Sequence, residues 1–324
     1  MPDKELLNIT ASQYPHRMNY ITRFIRMILS FSPQLGIIPY PTRPQGISVL
    51  MRVKDEADWI KSSVESIKRI ADEIIIVDNG STDGTYEMLE EISSKEKELI
   101  KLWQRSDLNY CNLSNFALQN TFFRWTFKWD GDMIARTSGE YDIAKLRKRI
   151  LSLNPRRYYI IYLSFVNLAG DLSHQDPNEM VHIEEYAYTY FNSARYIHPG
   201  RFEAVKFPKY HRVLFWYEPY SFHVNVKPSR RMLQRHFWED WMELKDYINF
   251  PTLEDYVKAK IKTEFGTTSC EEAQRINIQN IFSNYIPFDT KVFGSYPDLL
   301  RPHLENPKYK MIYENGKIIG RNES

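Results

Sequence analysis

Only two cysteines, Cys111 and Cys270, occur in the 324 residues, far apart and outside any metal-ligand spacing. A disulfide scaffold and a structural zinc site are thereby excluded, and a reducing compartment is favoured. An excess of one charge is lacking as well, with 43 Lys and Arg against 41 Asp and Glu. The chain therefore carries no broad field suited to nucleic acid, and the cluster Arg230, Arg231 and Arg235 reads as a solvated helix face. No apolar run approaches the ~18 residues that a bilayer-spanning helix needs. The N-terminus also lacks the basic-then-apolar order of a secretory signal, and repeats and low-complexity segments are missing. These features predict a cytoplasmic protein.

What is present is apolar: 43% of residues are hydrophobic and 15% aromatic, enough to fill the core of one large α/β domain with appendages. Three regions follow from the patterning. Residues 1–46 form an N-terminal appendage, in which Ile21, Phe24, Ile25, Ile28 and Leu29 recur at helical spacing opposite Arg23, Arg26 and Ser30. Docking of that apolar stripe on the chain's own body, with Ile25 and Leu29 buried, is the expectation. The competing reading is a peripheral membrane contact through residues 17–31. Residues 47–228 alternate strands and helices: strands at 47–53, 73–78 and 99–103, helices at 56–70, 85–94 and 112–120, then an apolar run ending at Asp130. That order predicts a mostly parallel central sheet with helices on both faces, ligands sitting at the strands' carboxyl ends. Residues 229–324 read as C-terminal helices, over 229–249 and 252–264, and a proline-containing tail that wraps the surface.

Two segments carry chemistry. In Val77-Asp78-Asn79-Gly80-Ser81-Thr82-Asp83-Gly84-Thr85 an apolar strand delivers an acid into a Gly/Ser/Thr turn. Asp78 there can accept from ribose hydroxyls or a base N–H, and the glycines allow close backbone approach. An ordinary strand–helix turn with a cap at Thr82 or Asp83 fits the same residues. The second segment, Trp129-Asp130-Gly131-Asp132, holds the single D-x-D of the chain, at the end of an apolar strand. Paired carboxylates there suit a divalent cation that bridges a diphosphate and stabilises its departure.

Residues 47–92 resemble the opening of family 2 of the inverting, nucleotide-sugar-dependent glycosyltransferases, which adopt the GT-A fold. The nine-residue turn matches that family's V-D-x-G-S-T-D-G-T. The end of the first strand is similar to the bacterial subgroup spelled K-N-E-E, here Lys54, Asp55, Glu56 and Ala57. The resemblance implies a sugar transfer from a UDP- or GDP-sugar to a hydroxyl of a carbohydrate or glycan acceptor, with Mn2+ or Mg2+ as cofactor. It implies that Arg52, Lys54, Glu56, Asp78, Asn79, Gly80, Asn115 and Asp130 hold the donor. Asp132 would ligate the metal, Asp130 would contact ribose or a metal-bound water, and His223 would take the late metal position. Asn115 matches the Asn of the family's A-R-N, with Ser114 where Arg is common; a helix cap is the other reading of Asn115. His174, His182, His198 and His211 read as structural.

The general base has two candidates. Asp240, in Glu239-Asp240-Trp241, spells the family's E-D-W, whereas Glu203 accompanies the His223 alignment, and Glu203 is preferred because both precede the C-terminal helices. The alternatives to sugar transfer are a nucleotidyltransferase of related α/β fold and a non-catalytic GT-A-like scaffold. Against the first, the strand end MRVKDEAD has no glycine; against the second, both aspartates of the D-x-D are present.

Overall fold

The computed structural model describes residues 20–198, 203–244 and 249–324, apart from the side chains of Glu239 and Glu243. In chain order the elements are α1 (Tyr20–Leu29), β1 (Ile47–Val53), α2 (Ile60–Ile67), β2 (Glu73–Asp78), α3 (Thr85–Lys95), β3 (Ile100–Gln104), α4 (Tyr110–Gln119), β4 (Trp125–Asp130) and β5 (Met133–Ala135). Next come α5 (Ile143–Leu151), β6 (Tyr158–Ala169), β7 (His174–Gln175), β8 (Val181–Thr189), β9 (Tyr196–Ile197), β10 (Ala204–Val205), β11 (His211–Trp216) and β12 (Ser221–Asn225). The last are α6 (Ser229–Leu244), α7 (Leu253–Phe265), α8 (Cys270–Phe282), β13 (Ile286–Pro287), α9 (Thr290–Phe293), α10 (Arg301–Glu305), β14 (Tyr309–Glu314) and β15 (Lys317–Glu323).

Two compact units result. The first comprises the chain through Val166, Val181–His223 and Thr290–Arg301; the second comprises Asn167–Met180, Val224–Asp289 and Pro302–Ser324. The first is built on a sheet of order β3-β2-β1-β4-β8-β6-β12-β5, with β11 beside β6. β3, β2, β1 and β4 run parallel, and β8 is antiparallel to both β4 and β6. Alternation along the parallel strands feeds two cores. Ile47, Val49, Met51, Val53, Ile74 and Ile76 pack with Ile60, Val64 and Ile67 of α2, while Leu50, Ile75 and Val77 pack with Leu113, Ala117 and Leu118 of α4. Helices thus cover both faces, as a sheet of fully buried, near-continuous apolar strands requires.

α2 starts later than its periodicity predicts. The backbone N–H groups of Asp55, Glu56 and Ala57 donate to side chains of the turn after β2, and Asp55 sits at φ 54°, so helix geometry begins only at Ile60.

α1 reverses the expected docking. None of its residues is buried, and Ile25 and Leu29 remain 41% and 37% exposed. The polar side faces the body instead: Arg26 Nη1 donates to the carbonyls of Pro208 (2.9 Å) and His211 (3.4 Å), Arg26 Nη2 to that of Phe207, and Arg23 lies over the Phe215 ring. One guanidinium can serve these three carbonyls at the start of β11, whereas an aliphatic face would offer them no donor.

In the second unit α6, α7 and α8 enclose Leu233, Phe237, Tyr256, Val257, Ile261 and Ala273. Thr252 and Ser269 cap α7 and α8, and Gly266 ends α7 at φ 71°. The tail forms a hairpin of β14 and β15 across Asn315–Gly316, both at positive φ, with Met311 and Ile318 packed on Phe282. Asn-Gly between two apolar runs is the sequence signal for that turn. No helix among the described residues is long and apolar enough to cross a membrane.

His211 generates a pH prediction. It is fully buried among Tyr158, Phe191, Phe207 and Tyr210; Nε2 faces the Thr189 carbonyl at 3.4 Å and Nδ1 has no hydrogen-bond partner. Burial pushes its pKa down to about 3. A depressed folded pKa contributes stability that is complete above the unfolded value near ~6.5 and is lost as pH falls toward the folded value. Urea unfolding of the wild type should therefore lose midpoint steadily below about pH 6.5, and His211→Phe should flatten that slope by roughly 1 kcal/mol per pH unit. Equal slopes would show that His211 does not titrate on unfolding.

Candidate functional site

The loops that follow β1 and β2 are bound to each other by side chains of the second. Ser81 Oγ accepts from the Asp55 N–H at 2.8 Å, Thr85 Oγ1 from Glu56 at 2.8 Å and Asp83 Oδ2 from Ala57 at 3.0 Å; in return Asp55 Oδ1 accepts from the Thr82 N–H at 2.7 Å. Asp83 Oδ1 also takes the Thr85 N–H, yet the N-cap of α3 is Gly84 at φ 94°, not the expected Thr82 or Asp83. Asp78, fully buried, is occupied within the turn: it accepts from the N–H groups of Gly80 and Ser81, from the Ser81 hydroxyl and from Gln104. Gly80 lies at φ 73°, and a Cβ there would meet Ser106 Cβ at 2.9 Å, so glycine is required. Asn79 continues the strand edge, donating its N–H to the Val53 carbonyl at 2.8 Å; Lys54 is exposed and Glu56 half-buried.

Glu56 reaches the acidic turn. A Cβ on Gly131 would stand 3.0 Å from Glu56 Cγ, so the middle residue of Asp130-Gly131-Asp132 must be small. Ser63 of α2 fixes the strand end, its hydroxyl donating to the Asp130 carbonyl at 3.1 Å and accepting from Trp129 Nε1 at 3.0 Å. β5 then pairs antiparallel with β12, placing His223 opposite Met133, and His223 Nε2 lies 3.2 Å from Asp132 Oδ2. Two residues 91 apart in sequence are thereby brought together.

Arg52, paired in register with Asp130, makes a second cluster. Arg52 Nη2 is 2.8 Å from Glu203 Oε1, the guanidinium lies 3.7 Å from the Tyr110 ring centroid, and Ser114 Oγ donates to Glu203 Oε2 at 2.7 Å. Burial would lower the Arg52 pKa, but Tyr110, Glu203 and Asp130 outweigh it and hold it above its ordinary value. Burial raises the Glu203 carboxyl, against the downward pull of Arg52 and Ser114. Asn115 points its amide at the next strand: Nδ2 donates to the Tyr196 carbonyl at 3.0 Å and Oδ1 accepts from the Tyr196 N–H at 2.8 Å. It clamps β9 and does not cap α4, a role that falls to Asn109. Asp240 is an exposed residue of α6 in the second unit.

Lys128 and Glu184 were not singled out from sequence, yet Lys128 Nζ and Glu184 Oε1 pair at 2.7 Å beside Asp130. Burial would lower Lys128 and raise Glu184; each partner's charge prevails, so Lys128 is raised and Glu184 lowered. The signal was a lysine inside the apolar run FRWTFKWD, which a buried strand tolerates only with a partner.

Residues 48–138 match the sequence model of Glycosyl transferase family 2. An uncharacterized glycosyltransferase of Rickettsia felis is 34% identical over 86 residues, covering 26% of this chain and 28% of that protein. One of Rickettsia bellii is 35% identical over 86 residues, covering 26% and 27%. The chain spans little more than a quarter of the length of these relatives. Among solved structures, S. aureus TarS 1–349 covers 86% of this chain and 96% of its own at 12% identity and TM-score 0.40. Its complex with UDP-GlcNAc gives 86%, 100%, 10% and 0.41. The matched residues 48–138 hold both the turn after β2 and the Asp130-Gly131-Asp132 turn. The chain's sheet, parallel through β3-β2-β1-β4 and followed by antiparallel β8, is the mostly parallel sheet that the strand–helix order predicts.

Lys128→Met leaves Glu184, only a third exposed, without its cation. The expected cost is about 1–3 kcal/mol of stability, read as a lower urea midpoint. Restoration by Lys128→Met combined with Glu184→Gln is part of the expectation; a double variant no more stable than the single one would refute the pairing.

Proposed function

We propose that the chain transfers a sugar from a UDP- or GDP-sugar to a hydroxyl of a carbohydrate acceptor, with inversion and with Mn2+ or Mg2+. The observation that carries this reading is electrostatic. Around the ends of β1 and β4, Arg52 and Lys128 face the carboxylates of Asp130, Glu184 and Glu203, and Asp132 shares the neighbourhood of Tyr186 with Asp130 and Glu184. A donor diphosphate brings about two further negative charges, and like charges in a partly desolvated site repel strongly. A divalent cation removes the conflict. The donor set fits an ion that arrives with the diphosphate: Asp132 and His223 stand side by side, Asp130 is adjacent, and no cluster of three or more His, Cys, Asp or Glu suited to a resident metal occurs among the described residues. Magnesium-like ions are commonly held by one or two carboxylates, the remaining positions filled by phosphate oxygens and water. Bound there, the cation would neutralise the leaving diphosphate.

The chain's own residues divide the remaining work. Asn79 and Gly80 present backbone to the nucleotide, shaped by Asp78 from beneath; Lys54, Glu56 and Arg52 border the donor, and Asn115 supports the site through β9. Glu203 serves as the base: its carboxyl is raised by burial, held by Ser114 through Oε2 and paired with Arg52 through Oε1. Only 4% of its side chain meets solvent, so acceptor binding must displace the Arg52 pair before the proton moves. It takes the proton of the acceptor hydroxyl as the acceptor oxygen attacks the anomeric carbon, and the bond from that carbon to the diphosphate breaks on the opposite face. Asp240 is the competing base. Peripheral membrane contact through residues 17–31 belongs to the same reading, with 17–19 outside the described residues.

Two experiments test this. UDP and GDP should raise the melting temperature only when Mn2+ is present, and Asp132→Ala or His223→Ala should remove that shift with little loss of stability without ligand; an equal shift in chelator would sink the metal assignment. Glu203→Gln should lower kcat by roughly 10²–10⁴ while keeping the nucleotide shift, and Asp240→Asn should not. The reverse pattern would transfer the base to Asp240.

A further inference from the structure

The outward side of α1 and the segment behind it form an unusually apolar surface. Tyr20 (88%), Ile21 (69%), Phe24 (59%), Leu35 (71%) and Ile37 (70%) are open to solvent, with Ile28 between them. Monomeric proteins rarely leave so many large apolar side chains of one short segment exposed without a use for them. The helix is held in this attitude from behind by Arg26, and the following segment by Arg157, which stacks on Phe31 at 3.9 Å and donates to Gln34 Oε1 at 3.0 Å.

The segments that carry this surface are cationic. Residues 20–46 contain Arg23, Arg26 and Arg43 and not one Asp or Glu. The segments that hold α1 and residues 31–40 in place repeat the bias: 154–157 contributes Arg156 and Arg157, and 204–217 contributes Lys206, Lys209 and Arg212, again without a carboxylate. Arg156, Lys206 and Lys209 are exposed. Glu185 of β8 comes near on the sheet side, where it bonds the Tyr162 hydroxyl. We propose that this face seats the protein on an anionic membrane surface, the apolar side chains entering the headgroup boundary and the cationic rim meeting lipid phosphates. The proposal deepens the peripheral-contact reading given above and fixes the face, its orientation and the lipid charge. A second copy is the poorer occupant, because a two-fold contact would set the exposed cations of the two copies, Arg23, Arg156, Lys206 and Lys209, against each other.

Co-sedimentation of the full chain with vesicles decides the matter. The protein should pellet with phosphatidylcholine vesicles containing roughly one-third phosphatidylglycerol, less with phosphatidylcholine alone, and less at high salt. Phe24→Glu combined with Ile28→Glu should lower the bound fraction about tenfold. That variant should keep the wild-type melting temperature, because both side chains already meet solvent. Wild-type protein that stays in the supernatant, or a variant that pellets as well as wild type, would overturn the proposal. So would a dimer in sedimentation velocity that the variant dissolves while no vesicle binds. The Mn2+–UDP thermal shift separates the two readings. A shift missing from a wild type that still binds vesicles would count against sugar transfer alone.

Discussion

The site rests on the lock between the two loops at the carboxyl ends of β1 and β2. Ser81, Asp83 and Thr85 spend their side chains on the N–H groups of residues 55–57, and Asp55 answers on Thr82. Each such bond contributes only about 1 kcal/mol net. Together they decide where α2 can begin, and α2 decides the rest. Its Ser63 holds the end of β4, and Ile60 and Glu56 crowd Gly131. A change in the turn after β2 would therefore move the acidic turn, although the two touch through an intermediate helix. The Gly/Ser/Thr composition of the turn follows from hydrogen bonding to backbone as directly as from any ligand.

Beyond that lock, the strand edge concentrates charge that a sheet interior would not tolerate. Arg52 and Lys128 point from adjacent parallel strands, each with a carboxylate from a later part of the chain, Glu203 or Glu184. Removing one member of such a pair costs more than the pair itself contributes, since the survivor stays buried and charged. The Arg52 Nη1 atom, buried without a hydrogen-bond partner, marks where this balance is incomplete. Incomplete balance at the carboxyl end of a parallel sheet is where a polar ligand gains most from binding.

Strand and helix identity through Asp130 was legible because each element is short, apolar and bounded by Gly, Pro, Asn or Asp, and the D-x-D stood out by its position at a strand end. Less legible were contacts that depend on distant pairing. His223 could be matched to Asp132 only by resemblance, since the antiparallel join of β5 and β12 leaves no local trace. Asn115 sits in a helix whose cap is six residues earlier, and nothing nearby says that its amide serves Tyr196. Asp78 was read as facing a ligand, while the turn it opens consumes both of its oxygens. The β14–β15 hairpin was missed although Asn315-Gly316 spells its turn, because four prolines nearby suggested an irregular tail.

The helix α1 shows where periodicity stops being informative. The spacing of its apolar residues fixes that two faces differ, but not which one meets the body. Turning Ile21, Phe24, Ile25 and Ile28 inward would gain roughly 3–6 kcal/mol, counting half the usual transfer energy for side chains already partly covered. Against this stand the three carbonyls that Arg26 serves and an Arg23 ring contact, worth about as much in total only if those carbonyls would otherwise lose a donor. The two orientations are thus nearly balanced within the isolated chain. A modest gain from an external apolar phase is then enough to decide between them, and the cationic segments that carry α1 favour a phase bearing negative charge.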